Sequence, residues 1–323
     1  MTDAVAETLR QLDQLRTKLS RGELYQRLPE KVGALIDNLP HEKRTPVPVL
    51  KDNTAALAQV KSLRTQIKQK KLTALSDAEI EFLLAHLAAT DPLVRDKGVY
   101  FLFNDILQAR ILTPTQIKQI FQRLLTPEML YGHILETKSN AIFLRSFTVM
   151  ILSGILYVDR MHYHILKTAD LETASLQISA YMAMETDGRG YIGTRGWAHA
   201  YSHVGNVLDE LTASPALNRA NKLFYLTVLI ARYQRLETPL IFGEDHRLAL
   251  TIANLVNKNK LYADYFLMLL QHWQRELMAL QPQENEGFWN CWYNRNRLLQ
   301  ALIIRGDMPQ KIQDFLMQIV DVF

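Results

Sequence analysis

Hydrophobic residues recur along the chain at intervals of three and four positions, the spacing that places side chains on one face of an α-helix. One such stripe is formed by Leu9, Leu12, Leu15 and Leu19, and others follow it along the chain. Alternating runs of β-branched and polar residues, which would indicate strands, are missing. The pattern therefore predicts an all-α protein without a β-sheet.

Helix-starting signals separate these stripes. Residues 76–79 read Ser-Asp-Ala-Glu, a capping box, immediately ahead of an apolar stripe. Proline recurs where a first helical turn is expected, because its fixed φ suits that position and its missing N–H is not needed there. These prolines are Pro92, Pro114, Pro127 and Pro309. Short links therefore join roughly a dozen or more helices.

Many helices joined by short links occur both in bundles and in solenoids. Their number and length favour an irregular right-handed α-solenoid of stacked helical pairs, similar to armadillo and HEAT repeats, although no clean sequence repeat is present. A proline-rich stretch at residues 39–50 has the composition of a linker or an exposed arm. We predict an N-terminal helical extension at residues 1–45 and a single all-helical, repeat-like domain at residues 46–323.

Composition narrows the choice of partners. Hydrophobic residues make up 48% of the chain and charged residues 22%, which suits a folded core, and the net charge of +4 is too small for a strongly nucleic-acid-binding domain. The basic helix that carries Lys61, Arg64 and Lys68 has no interleaved aromatic residues, so the stacking surface of a single-strand binder is absent. We expect a solvated face there and no nucleic-acid partner.

Cysteine usage and the apolar segments indicate the compartment. Cys291 is the only cysteine, which excludes an internal disulfide and favours a reducing compartment. The first residues include acids where a signal peptide needs a basic start. Residues 139–158 are long and apolar enough to test as a membrane span, but Arg145 lies inside them. We predict a cytoplasmic protein without a membrane span, in which this segment is a buried core helix.

One window combines backbone freedom with polar chemistry. Five of the thirteen glycines fall in it, namely Gly188, Gly190, Gly193, Gly196 and Gly205. Arg189 and Arg195 bracket two of these glycines, and the loop leads into a predicted helix whose free N–H groups favour an anion. A phosphate or carboxylate site is one interpretation. The other is that Asp187 and Glu185 already pair with these arginines and the glycines only turn the chain.

The helix predicted at residues 197–211 has two different faces. Trp197 falls on the core side, whereas His199 and His203 fall almost opposite it. Two histidines four positions apart can share a metal ion, but the glutamate that follows the first histidine in zinc proteases is missing here. We predict no metal and no cofactor, with His199 and His203 as a weak metal candidate. They could instead be hydrogen-bonding surface residues, or bind a ligand and transfer protons.

These residues also carry a resemblance. They are Glu185, Asp187, Arg189, Gly190 and Tyr191, then Gly196, Trp197, Ala198, His199 and His203, with Asp91, Pro92, Arg95, Asp96, Phe143, Arg145, Ser146, Phe147, Asp159 and Arg160 upstream. Together they resemble a bacterial family known as domain of unknown function 2785. The resemblance implies an all-helical, repeat-like protein and adds no reaction. The family tends to place an acid three residues after the second histidine, and Asn206 stands there, which weakens a metal site further.

Two further features of the sequence each allow two interpretations. Arg145 needs a carboxylate partner if it is buried, and Glu185, Asp187 or Asp159 could supply one, either as a structural clamp or beside an anionic ligand. Aromatic residues recur at three- and four-residue spacing near the C-terminus, interleaved with asparagines. These are Phe288, Trp289, Trp292 and Tyr293, with Asn290, Asn294 and Asn296. They could pack in the core or line a groove.

Together these features favour a binding or scaffold protein with a site at residues 185–206. Its partner would be a protein, a peptide or an anionic small molecule. The predicted ligand-binding residues are Asp187, Arg189, Tyr191, Arg195, Trp197, His199, His203 and Arg145. The alternative is a hydrolase-like enzyme in which His199 or His203 acts as acid or base while Arg189 and Arg195 stabilise negative charge. No serine elbow, phosphate loop or dinucleotide fingerprint supports a particular reaction.

Overall fold

The structure is a computed structural model that describes residues 2–319, and these residues are all-helical. The α-helices are α1 (Asp3–Ser20), α2 (Leu28–Asp37), α3 (Asn53–Lys68), α4 (Asp77–Ala85), α5 (Pro92–Val94), α6 (Phe101–Gln108), α7 (Pro114–Leu124), α8 (Pro127–Tyr131), α9 (Ala141–Val158), α10 (Thr168–Met184), α11 (Ala200–Ala213), α12 (Arg219–Tyr233), α13 (Glu244–Val256), α14 (Lys260–Ala279), α15 (Glu286–Arg305) and α16 (Gln310–Ile319). Two π-helical turns, Arg95–Tyr100 and Asp159–Tyr163, and two 3₁₀ turns, His86–Ala88 and Gly193–Arg195, complete the set.

The predicted all-α class is confirmed. Residues 2–319 contain no strand, only two isolated bridges. The capping box is present as expected, because the Ser76 hydroxyl accepts from the Glu79 N–H and the Glu79 carboxylate accepts from the Ser76 N–H. Pro92, Pro114 and Pro127 each lie in the first turn of a helix. These signals are local in the chain, which is why they could be read from it.

The C-terminal half is built from two layers of helices. In one layer α9, α11, α13 and α15 pack successively, and in the other α10, α12, α14 and α16 do so. Helices α1 and α2 pack on α12, so the predicted N-terminal extension lies against the second layer. A solenoid class and a domain boundary at residue 45 stay predictions.

Helix α9 is the core of this arrangement. By length and composition, Ala141–Tyr163 is the one stretch within residues 2–319 that could cross a membrane, and 72% of its most apolar window is buried inside the protein. It packs against α11 on one side and against α7 and α8 on another. This is the environment of a core helix, and it places Arg145 in the interior.

Candidate functional site

The glycine-rich loop between α10 and α11 is a fixed turn. The Ile192 N–H donates to the Gly196 carbonyl at 2.9 Å, and the Ala198 N–H donates to the Gly190 carbonyl at 2.8 Å. Gly196 has φ +74°, a region that favours glycine. At Gly190 a Cβ would lie 2.5 Å from the Phe242 ring and 2.6 Å from the Glu244 carboxylate, so only glycine allows this close approach.

Arg145 is held by a buried carboxylate. Its Nε and Nη2 donate to the two oxygens of Glu185 at 2.8 and 3.0 Å, and its Nη1 donates to the Gly132 carbonyl at 2.8 Å. Burial alone would lower the pKa of Arg145, but the Glu185 charge outweighs burial and the pKa is raised. The pair ties α9 to the end of α10 and leaves the guanidinium fully engaged.

The two loop arginines do not meet the histidines. Arg189 pairs with Asp187 through Nε at 2.8 Å and Nη2 at 2.5 Å, and Nη2 also donates to the Ser139 carbonyl. Arg195 donates to the Asn140 side chain at 2.8 Å. Both arginines therefore fasten the loop to the start of α9. The salt bridge of Arg189 corresponds to the second interpretation of this loop, in which the acids already neutralise its arginines.

The prediction that Trp197 lies on the core face of a helix is wrong. Helix α11 begins only at Ala200, because His199 takes a left-handed φ of +51° that interrupts the helix. Trp197 is instead bridged to Tyr191, and its ring stacks on that of His199 at 4.1 Å. Tyr191 and Phe242 meet the Trp197 ring edge-on. Trp197 thus belongs to a partly exposed aromatic cluster on the loop.

The prediction that His203 points away from the core is also wrong. Only 8% of its surface is exposed, because α9 packs along this face of α11. Its Nδ1 lies 2.9 Å from the Ser146 carbonyl, and its ring meets Phe147 edge-on. Burial lowers the pKa of His203 to about 3, so the ring is neutral at pH 7. Since a carbonyl accepts only from an N–H, Nδ1 carries the proton and Nε2 keeps its lone pair.

Three residues beside the histidines were missing from the predicted site. Glu244 is buried at the start of α13, where its carboxylate accepts from the Phe242 N–H and lies 3.4 Å from His199 Nδ1. Arg95 is fully buried and stacks on Phe143 at 3.9 Å, and burial lowers its pKa to about 10.

Asp96 follows Arg95 in a π-helical turn, and burial raises its pKa. Such turns are frequent at functional sites. The motif at residues 91–96 was a signal for Arg95 and Asp96. Glu244 had no signal, because it stands 45 positions from His199 in the chain.

A cavity of about 1150 Å³ lies against the first residues of the same loop. Its walls come from the ends of α2 and α12, from α14 and α15, and from Met184 and Thr186 at the loop itself. None of the eight predicted ligand-binding residues lines it. Sequence reasoning missed this cavity because its walls come from segments far apart in the chain.

Two buried arginines in the cavity wall have no salt bridge within residues 2–319. Arg232 is 5% exposed, and its Nε and Nη2 both donate to the Ala183 carbonyl. Arg295 is 2% exposed, and it donates to the Asn296 side chain at 3.1 Å and to the Ile319 carbonyl at 3.5 Å. Burial lowers the pKa of both guanidinium groups. Both arginines therefore line the cavity without a direct carboxylate contact from residues 2–319.

Aromatic residues form another part of the wall. Trp273 of α14 and Phe288 and Trp292 of α15 line the cavity, and the last two rings stack at 6.1 Å. Trp289 and Tyr293 of the same cluster are exposed instead. The aromatic wall suggested by the spacing is therefore formed by two of its four members.

Two asparagines of α15 hold the backbone of the segment that follows α12. Asn294 donates to the carbonyls of Leu236 and Thr238 and accepts from the Leu240 N–H, and so it anchors the segment after α12. Asn290 donates to the Glu237 carbonyl. Cys291 lines the cavity, and burial raises its pKa to about 11, so it is a thiol at neutral pH.

These observations define an all-helical protein with a buried histidine, His203, and a separate cavity of mixed polar and aromatic character. Within residues 2–319, no group of three or more His, Cys, Asp or Glu side chains is arranged to hold a metal ion. The family model described as a protein of unknown function (DUF2785) matches residues 130–304. The chain belongs to this family, and the matched range includes Arg145, Glu185, His203, Arg232 and Arg295. No curated protein and no solved structure matches it.

Proposed function

We propose that the protein is a binding protein that holds a small molecule in the cavity between α2, α12, α14 and α15. The size of this partly open cavity carries the proposal, since its volume of about 1150 Å³ is slightly above the roughly 300–1,000 Å³ that is usual for small-molecule sites. Protein interiors are close-packed, and a gap of this size lined by tryptophans and arginines differs from a packing defect. Of residues 185–206, Thr186 lines the cavity. We also propose that the protein acts in the cytoplasm.

The lone cysteine allows a direct test of occupancy. The neutral dye N-phenyl-1-naphthylamine fluoresces when it enters an apolar site, and we expect it to bind saturably and to slow alkylation of Cys291 by iodoacetamide. The variant Cys291→Ser should take up no label and so verifies the site of reaction. An alkylation rate that does not change at a saturating dye concentration would rule out this cavity as the dye's site.

A matched pair of substitutions tests the location independently. Leu277 lines the cavity, whereas its neighbour Met278 is 69% exposed and does not. The variant Leu277→Trp should fill the cavity and weaken dye binding, and Met278→Trp should leave the dye affinity unchanged. Equal effects of the two variants would place the dye outside the cavity.

Acid–base catalysis at the histidines is the second candidate. The observation in its favour is the buried Glu244 carboxylate beside His199 Nδ1, a contact of the kind that orients an imidazole for proton transfer. Assays of p-nitrophenyl phosphate and p-nitrophenyl acetate would detect hydrolysis. The catalytic proposal predicts turnover by the native chain and at least about 100-fold less in His199→Asn. Turnover that survives this change would contradict it.

A further inference from the structure

We propose that the ligand of the cavity is an organic anion with an apolar body, and that Arg232 and Arg295 bind its charged group. This inference rests on the proposed binding function and specifies the chemistry of the ligand. It is carried by two guanidinium groups that line the cavity, are at least nine-tenths buried and have no salt bridge within residues 2–319.

Burial of a guanidinium is costly when no opposite charge compensates it. Arg145 shows one solution in this protein, because both oxygens of Glu185 meet it. Within residues 2–319, Arg232 and Arg295 bond only to carbonyl and amide oxygens. A guanidinium also presents a planar fork of donors that fits carboxylate, sulfonate and phosphate oxygens. An anionic group in the cavity would provide the missing compensation.

The four acids that line the cavity make no salt bridge with Arg232 or Arg295 within residues 2–319. Asp37 makes a two-point salt bridge with Arg235, and Glu136 accepts from the backbone and hydroxyl of Thr45. Glu276 lies 3.7 Å from His272. Glu237 is exposed, and its side chain approaches Gly287. The two buried charged residues that line the cavity and make no salt bridge within residues 2–319 are therefore both positive.

The apolar residues of the cavity wall indicate the chemistry of the uncharged part of the ligand. Trp273, Leu277, Leu280, Phe288 and Trp292 present apolar surface to the cavity. Aromatic walls favour a planar or hydrocarbon body, which can pack against the ring faces. A small inorganic anion would leave this apolar surface uncovered. The wall therefore fits an anion attached to an aromatic or aliphatic group.

Two dyes that share the same apolar body and differ in charge test how much the charge of the ligand contributes to binding. We expect 8-anilino-1-naphthalenesulfonate, which carries a sulfonate, to bind the native chain at least about 10-fold more tightly than neutral N-phenyl-1-naphthylamine. Arg232→Gln and Arg295→Gln should each weaken the anionic dye about 10-fold and change the neutral dye by less than about two-fold. Arg297→Gln is the control, because Arg297 lies on α15 beside Arg295 but does not line the cavity.

The outcomes separate the two proposals. If neither dye binds, the binding function itself fails. If the neutral dye protects Cys291 and the two dyes bind equally well to the native chain, the binding function stands and the anion inference is overturned. This comparison needs no variant, so misfolding cannot obscure it. A loss in Arg297→Gln as large as that in Arg295→Gln would also overturn the inference.

Competition then identifies the head group. We expect 1-naphthylacetate or 1-naphthyl phosphate to displace the anionic dye, and the tighter competitor assigns a carboxylate or a phosphate ligand. Failure of both to displace it, at concentrations where 1-naphthalenesulfonate does, would overturn the wider class of organic anions.

Discussion

Buried arginines have different surroundings on the two sides of the segment that ends α10. On one side Arg145 meets both oxygens of Glu185. On the other side Arg232 bonds to the carbonyl of Ala183, two residues before Glu185, and meets no carboxylate of residues 2–319 directly. Arg295, which also lines the cavity, is buried too and donates to the Asn296 side chain. We propose that the first arginine belongs to the framework of the fold, whereas the other two bind a ligand.

The strongest test of this difference is removal of the paired arginine. Arg145→Met should leave the Glu185 carboxylate buried and uncompensated, and so lower the free energy of unfolding by about 3–5 kcal/mol. Urea denaturation followed by circular dichroism measures this. In the double variant Arg145→Met/Glu185→Gln the loss should be smaller than the sum of the single losses. An unchanged stability in Arg145→Met would mean that the pair is not a clamp.

A glycine of the same loop provides the next largest effect. In Gly190→Ala the new methyl group would meet the Phe242 ring and the Glu244 carboxylate, and the expected loss is roughly 2–3 kcal/mol in the free energy of unfolding. Gly154→Ala, inside α9, is the control, since its Cβ would meet only a flexible leucine side chain at 3.2 Å. Similar losses for both variants would contradict a specific close approach at Gly190.

The buried His203 predicts a dependence of stability on pH. Because burial lowers the pKa of His203 to about 3, the unfolded chain binds a proton below pH 6.5 while the folded chain does not. Stability therefore falls as the pH falls from about 6.5 towards 3, by about 2 kcal/mol between pH 7 and pH 5 from this residue. Urea denaturation at both pH values should show a smaller difference in His203→Gln. The same difference in both proteins would assign the effect to other groups.

The smallest change in stability is expected at the cavity. Without ligand, Arg295→Met and Arg232→Met should change the free energy of unfolding by less than about 1 kcal/mol or increase it, because each removes a buried charge that has no carboxylate partner. The same urea experiment measures this. If either variant lowered the free energy of unfolding by about 3 kcal/mol or more, that arginine would be part of the framework of the fold, as Arg145 is. The distinction between Arg145 and the cavity arginines would then not hold.

The sequence predicted those parts of the fold that depend on near neighbours in the chain. Apolar stripes, the capping box at Ser76 and the prolines of the first turns all act within a few residues, and the all-helical class followed from them. The partner of Arg145 was among the three proposed because a buried charge restricts the choice.

Other parts could not be read in this way. The faces assigned to Trp197 and His203 failed because one left-handed residue, His199, delays the start of α11 and because α9 covers its histidine side. The cavity brings together residues from α2 to α15. Arg232 and Arg295 are distinctive there only because they make no salt bridge within residues 2–319. Such a property depends on long-range packing rather than on any local pattern.

The most direct measurement is a crystal structure of the protein grown with 8-anilino-1-naphthalenesulfonate. The sulfonate should lie within hydrogen-bond distance of Arg232 and Arg295, with the naphthalene ring against Trp273, Phe288 or Trp292. A dye bound at the loop of Arg189 and Arg195, or in the cavity with its sulfonate turned away from both buried arginines, would contradict the assignment of the cavity as an anion site.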